Sequence, residues 1–146
     1  MSTIVLRHGS VMAAAIFAVL DPIVYGFFAG ALIFDAIYFE TGEILWDHSA
    51  AWLITFGLFI AIIPRLINLV QVWITARAWA TGTARLDFWL NLVAIVLAVF
   101  NALVHSRDAY ASMPAGLWLS IVTVILLSIS HAAAAVRDVR EANRHA

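Results

Sequence analysis

The fold is decided by residues 52–75, which read WLITFGLFIAIIPRLINLVQVWIT and contain one charged side chain, Arg65. A helix needs about 20 mostly apolar residues to cross a bilayer, since each residue adds about 1.5 Å of rise. The stretch meets that length, and it is predicted to be a transmembrane helix.

Three other stretches of the chain are also long and apolar. Short turn-forming sequences at residues 41–43, 81–83 and 113–116 separate the four apolar stretches. Asp87 is positioned to cap the third span, and residues 137–146 are expected to form a tail. The chain is therefore one membrane domain without an appended soluble domain. The other predicted spans cover residues 22–39, 88–104 and 117–136.

The composition supports an all-α bundle of four transmembrane helices. The chain is 64% hydrophobic and 12% charged, with a mean hydropathy of +0.99, whereas soluble domains are about 45–50% apolar and about 25% charged. The net charge of -1 argues against a nucleic-acid partner. The absence of cysteine excludes disulfides and thiolate metal sites.

The N-terminal segment, residues 1–20, has two interpretations. Residues 11–20 are apolar and no small-residue cleavage site closes them, so we expect this segment to be retained. Asp21-Pro22 is typical of an N-cap followed by proline at the first helical position, which favours a separate short helix lying along the interface. The alternative is one long helix over residues 11–39, kinked at Pro22.

Arginine placement predicts the orientation, because cytoplasmic loops are enriched in basic residues. With four spans, six arginines fall on the side of the termini and only Arg107 on the other side, so both termini are expected to face the cytoplasm at a bacterial inner membrane. The six are Arg7, Arg77, Arg85, Arg137, Arg140 and Arg144.

Polar residues within the spans are the first candidate site, because ionisable groups inside a membrane are costly and often functional. When the positions of the polar residues along the four spans are compared, six of these residues fall at similar depths in the cytoplasmic half of the bundle. They form either a pocket for a lipid headgroup, a quinone, an ion or a proton, or a purely structural set of caps and interhelical bonds. The six are Asp21, Arg65, Asn68, Asp87, Asn91 and His131.

Asp35 lies by itself in the outer third of the first span, where Thr55, His105 and the loop carrying His48 are expected nearby. It is either a hydrated interfacial carboxylate or a coupling carboxylate for transport.

The histidines raise the question of haem b. Such a haem needs two histidines at matching depth on facing helices, and His105 and His131 are expected near opposite ends. A bis-histidine haem is therefore disfavoured, quinone is the alternative cofactor, and no metal site is predicted because no suitable His and Glu spacing occurs within a span.

Gly26 and Gly30 form a GxxxG motif, which lets two helix backbones approach closely. Packing within the bundle is the default expectation, and a homodimer or docking to another subunit is the alternative.

Two stretches, DPIVYGFFAGALIFD at residues 21–35 and RLDFWLN at residues 85–91, together with Asn101, carry a resemblance. The chain resembles a bacterial four-span membrane family catalogued as domain of unknown function 2231, from about residue 20 to residue 135. Members of that family open the first span with a His-Pro pair and carry Phe-Asp near its end. The resemblance implies that Asp21 and Asp87 stand where relatives have histidines. If those histidines bind metal or haem, this chain has lost both, which implies a structural or docking role or a changed ligand.

Three functions follow from these features. The first is a non-catalytic accessory or anchor subunit of a larger respiratory or photosynthetic membrane complex, with lipids and other membrane subunits or a second copy as partners. The alternatives are a haem- or quinone-binding redox protein and a small ion-coupled transporter. Enzymatic activity is the least supported, because no base and nucleophile pair has a recognisable spacing.

Overall fold

A computed structural model of the chain describes residues 11–70, 82–107 and 109–145, and it confirms the all-α bundle of four spans. Each of the four helices is long and apolar enough to cross a membrane. A short 3-10 helix, Ala109–Ala111, lies between the last two. The helices are α1 Val11–Thr41, α2 Ile44–Leu69, α3 Gly82–His105 and α4 Ala115–His145.

The helices alternate in direction, with α1 packed on α2, α3 on α4, and α1 also on α4. We call the end where α1 begins and α4 ends the terminal end, and the end where α1 runs into α2 the loop end. The centre between them is apolar, built on Phe28, Ile54 and Leu127 with several small side chains. Large apolar side chains such as Phe59 and Leu103 point outward, as expected for a surface covered by lipid.

The break at Asp21-Pro22 that the sequence favours is wrong, because α1 runs through Pro22 without interruption. Proline removes one backbone donor, and membrane helices tolerate it because neighbouring groups can satisfy the freed carbonyl. The Asp21 side chain is not used as a cap, since it bonds to other helices instead. Residues 1–10 of the predicted N-terminal segment lie outside the described residues.

The connection between α1 and α2 is tighter than predicted. Only Gly42 and Glu43 are non-helical, and Gly42 adopts a φ of 69° that favours glycine. Asp47 and His48, expected in a loop, therefore lie in the first turns of α2.

Two other boundaries also differ from the prediction. Gly82, expected in a loop, starts α3, so Asp87 lies inside the helix and does not cap it. The expected tail at residues 137–146 is helical as far as His145, because α4 continues beyond the apolar span. Residues 71–75 of the second predicted span lie outside the described residues.

Of the two glycines expected to make close helix contacts, Gly30 does so and Gly26 does not. A Cβ added at Gly26 would have no atom within 4 Å, whereas one at Gly30 would lie 3.0 Å from Leu53 Cδ1. Gly57 on α2 is a second close contact with α1, since a Cβ there would lie 3.1 Å from Phe27 Cβ. The expected packing role within the bundle thus fits Gly30 and not Gly26.

Candidate functional site

The spans enclose two groups of hydrogen-bonded polar side chains, one near each end of the bundle. The terminal cluster contains two hydrogen-bonded sets: Asp21 with Arg65 and His131, and Asp87 with Asn68, Asn91 and Ser130. The loop cluster consists of Asp35, Asp47, Asn101, His105, Ser112 and Ser120.

In the terminal cluster, Asp21 connects three helices. Arg65 of α2 donates to Asp21 Oδ1 through its Nη2 atom. His131 of α4 places Nε2 2.7 Å from Asp21 Oδ2. The carboxylate is nearly buried, and a buried carboxylate is stable only when charge and hydrogen bonds compensate it.

Asp87 is the second acceptor of the terminal cluster. Asn91 Nδ2 donates to Asp87 Oδ1 over 3.1 Å, and Asn68 Nδ2 lies 3.5 Å from Asp87 Oδ2. Ser130 of α4 also donates to Asp87 and lies 2.6 Å from Asn91 Nδ2. The structure thus brings together all of the residues that depth matching grouped, and it adds Ser130, which carries no signal in the sequence that separates it from other serines.

In the loop cluster, His105 and Asp35 form a buried pair across α3 and α1. His105 Nε2 lies 2.8 Å from Asp35 Oδ1, and Asp35 is 0% exposed. His105 Nδ1 lies 3.0 Å from the Asn101 carbonyl oxygen. Since a carbonyl only accepts, Nδ1 carries a hydrogen, and a second proton is then held on Nε2 or on the facing carboxyl oxygen.

Asp47 completes the loop cluster, although the sequence pattern places it in a loop and not in α2. Its Oδ1 lies 3.8 Å from His105 Nε2 and accepts a hydrogen bond of 2.6 Å from Ser112 Oγ. His48, the next residue, is exposed.

Ser120 of α4 also belongs to this cluster. It donates to Asp35 and accepts from Asn101 Nδ2 over 2.7 Å. Thr55, expected near Asp35, donates to the Ala51 carbonyl of its own helix instead.

The two histidines of the clusters lie at opposite ends of the bundle, each against an aspartate. They do not face each other across the bundle, which a bis-histidine haem would require. Within the described residues, no group of His, Asp and Glu has the geometry for a metal ion.

A cavity of about 300 Å³ opens between α2 and α3 beside the terminal cluster. Its walls are apolar, and Arg65, Asn68 and Asn91 form its polar part. Arg65 Nε and Nη1 and Asn91 Oδ1 are buried without a hydrogen-bond partner in the described part of the chain. Such groups are costly to leave unsatisfied, and because these atoms are buried, they lie behind the wall of the cavity and do not face its open space.

Residues 11–135 match the family described as "Predicted membrane protein (DUF2231)". The chain belongs to that family. No curated protein and no solved structure matches the chain.

In this member of the DUF2231 family, Asp21 and Asp87, which the resemblance places where relatives have histidines, serve as hydrogen-bond acceptors within the terminal cluster. Asp21 receives Arg65 and His131, and Asp87 receives Asn68, Asn91 and Ser130. Each carboxylate therefore joins its own helix to α2 and α4.

Two hydroxyls on the buried face of α4 should respond to substitution in opposite ways. Ser130→Ala removes a donor from Asp87, and we expect it to lower the free energy of unfolding by about 1–2 kcal/mol. Thr123 is buried and its Oγ1 has no partner in the described residues, so Thr123→Val should be neutral or stabilising by about 1 kcal/mol. Unfolding in mixed detergent micelles, followed by circular dichroism, measures both. Equal effects of the two substitutions would contradict the assignment.

Proposed function

We propose that the protein is a non-catalytic accessory or anchor subunit of a larger bacterial membrane complex, of the respiratory or photosynthetic kind. The proposal rests on the hydrogen bonds of the intramembrane aspartates. Each of the four, Asp21, Asp35, Asp47 and Asp87, is bonded to a side chain from another helix or from the loop before α4.

These bonds stabilise a fixed arrangement of helices. Asp21 joins α1 to α2 and α4, while Asp35 joins α1 to α3 and α4. Interhelical hydrogen bonds hold membrane bundles together where the hydrophobic effect contributes little between helices. The polar side chains thereby support a rigid scaffold, as a docking subunit requires.

Gly26 supports a docking role on the outer face of α1. It is exposed, and a Cβ there would meet nothing within 4 Å. Small residues at such positions let another transmembrane helix approach closely. As part of the proposal, the complex lies in the inner membrane with both termini of this subunit in the cytoplasm, as the arginine distribution favours.

Replacing Gly26 with leucine should weaken assembly without unfolding the subunit. The added side chain blocks a close helix approach, and a penalty of about 1–3 kcal/mol corresponds to about a 5- to 150-fold loss of affinity for the partner. Tagged Gly26→Leu and wild-type chains are purified from their native membrane in mild detergent, and co-purifying subunits are quantified by mass spectrometry.

Ala36→Leu is the control for that experiment, since Ala36 is another exposed position of α1. We expect it to retain partners at the wild-type level. A wild-type chain that purifies as a stable monomer, or equal retention by Gly26→Leu and Ala36→Leu, would contradict the proposal.

The loop cluster favours a second candidate function, that of a small ion-coupled transporter. Chains of buried aspartate and histidine side chains carry protons in membrane pumps and transporters, and Asp35 with His105 forms such a pair. In proteoliposomes, proton flux in the wild type that is abolished in Asp35→Asn would support this function. Absence of flux in the wild type, or unchanged flux in Asp35→Asn, would count against it.

A further inference from the structure

We propose that the groove between α1 and α4 at the terminal end binds the ring of a lipid-soluble quinol, whose hydroxyl group donates a hydrogen bond to His131. This inference goes beyond an accessory role and does not depend on it, since a subunit can hold a quinol whether or not it docks to others. It rests on one accessible imidazole nitrogen, on the aspartate behind it and on the residues that line the groove.

Of the hydrogen-bonded set of Asp21, Arg65 and His131, His131 is the member that reaches open space. Its side chain is 34% exposed, against 9% for Asp21 and 16% for Arg65. It lines a cavity of about 340 Å³ between α1 and α4. Its Nε2 atom lies 2.7 Å from Asp21 Oδ2, whereas Nδ1 has no hydrogen-bond partner in the described residues and is not one of their buried unpaired atoms. Nδ1 is therefore the atom that a ligand in the groove can reach.

The neighbours of His131 make Nδ1 a hydrogen-bond acceptor. Arg65 donates to Asp21, so this carboxyl group is an anion that also accepts from His131. The neutral imidazole then carries its hydrogen on Nε2 and has a lone pair on Nδ1. Because the charges of Arg65 and Asp21 offset each other, the set offers a ligand no net charge. The groove therefore selects an uncharged hydrogen-bond donor, which a quinol is and an oxidised quinone is not.

The remaining wall of the groove suits an apolar ring. Phe17 and Tyr25 contribute aromatic side chains, which favour stacked or edge-on contacts with another ring. The hydroxyl group of Tyr25 is already bonded to Ser128, so it does not compete with His131 for the ligand. The other apolar lining residues are small, which leaves room for a ring between the two helices; they are Ala18, Pro22, Ala134 and Ala135.

The position of the groove allows a quinol to enter from the lipid. Ala18, Pro22 and Ala135 are exposed, so the groove is open at the side of the bundle. The α4 span ends at Arg137, and His131 lies about 9 Å before that residue along the helix. A ring bound at this depth lies just inside the membrane interface, and its isoprenoid tail stays in the apolar part of the bilayer.

Calorimetric titration of the purified full chain in detergent micelles tests the proposal, with short-chain ubiquinol and menaquinol as probes and with oxygen excluded. We expect saturable binding of at least one quinol to the wild type. The dimethyl ether of that quinol has the same ring and tail but no hydroxyl hydrogen. Its Kd should be about two- to tenfold higher, which is the effect of one lost hydrogen bond. Dioleoylglycerol, which carries a hydroxyl group without a ring, should not displace the quinol.

Three variants locate the site. His131→Phe keeps a ring of similar size but removes the acceptor, so the quinol and its dimethyl ether should bind to it equally. Ala135→Trp fills the groove, and we expect about a tenfold or larger rise in the Kd of the quinol. Ala132→Trp is the matched control and should bind like the wild type, because Ala132 is an exposed alanine of the same helix that does not line the groove.

The comparison of the two alanine variants decides the question even if His131→Phe does not fold. Quinol binding that is retained in Ala132→Trp and lost in Ala135→Trp, with weaker binding of the dimethyl ether to the wild type, would support the site. Absence of saturable binding by either quinol, equal affinity of the wild type for the quinol and its ether, or displacement by dioleoylglycerol would overturn it. Equal quinol binding by Ala135→Trp and Ala132→Trp would overturn it as well.

Discussion

Asp35→Leu should be among the most destabilising single substitutions in this protein, at about 3–5 kcal/mol of the free energy of unfolding. The carboxylate is fully buried and accepts from Ser120 while facing His105 Nε2 at 2.8 Å. Removing one partner of a buried, hydrogen-bonded ionic pair leaves the other polar groups uncompensated. Detergent unfolding followed by circular dichroism, compared with the wild type, measures the loss.

A double substitution separates the pair from simple loss of packing. In Asp35→Leu combined with His105→Leu, no unpaired charge remains between these two positions, so a large part of the lost stability should return. Glu43→Ala is the control, because Glu43 is exposed and should change stability by no more than about 0.5 kcal/mol. Strictly additive losses in the double variant would show that Asp35 and His105 are not coupled.

Gly116→Ala should also be strongly destabilising, at about 2–3 kcal/mol, although it adds a single methyl group. A Cβ at Gly116 would lie 2.7 Å from His105 Cε1. The imidazole cannot move away freely, because Asn101 and Asp35 hold its two nitrogens. Overpacking against such a fixed group forces a backbone shift or breaks the His105 hydrogen bonds.

Gly26→Ala is the matched control for this substitution. Gly26 also lies within a helix, but a Cβ there has open space around it. Replacing a helical glycine with alanine at an unstrained position is expected to be neutral or to stabilise by up to about 1 kcal/mol. The same unfolding measurement is used, and similar losses at both glycines would contradict the packing described at Gly116.

Much of the terminal cluster could be anticipated from the sequence, because antiparallel helices place residues at predictable depths. Asp21 and Arg65 could be paired this way, since both are charged and must be compensated within lipid. The partner hydroxyl of Ser130 could not, because a serine within a span can equally bond to its own helix, as Ser128 does to the Val124 carbonyl.

The loop cluster was only partly predictable, and the reason lies at the α1–α2 connection. The expected neighbourhood of Asp35 and His105 is confirmed at 2.8 Å. Asp47 was missed because helix α2 begins before the apolar stretch does, at Ile44. The start of a helix depends on the turn at Gly42 and on contacts such as that of Asp47 with Ser112, which hydropathy does not report.

The amino-acid sequence is sufficient to predict four membrane-crossing helices, because apolar stretches without water must satisfy their backbones internally. It also determined which polar residues share a depth. Other features come from how the helices pack: α1 passes through Pro22, Gly116 but not Gly26 faces a neighbouring side chain, and Arg65 and Asn91 have buried polar atoms without a partner in the described residues. These features depend on the rotation of each helix about its axis and on close side-chain contacts. Packing between helices sets both the rotations and the contacts, and hydrophobicity along the chain does not report that packing.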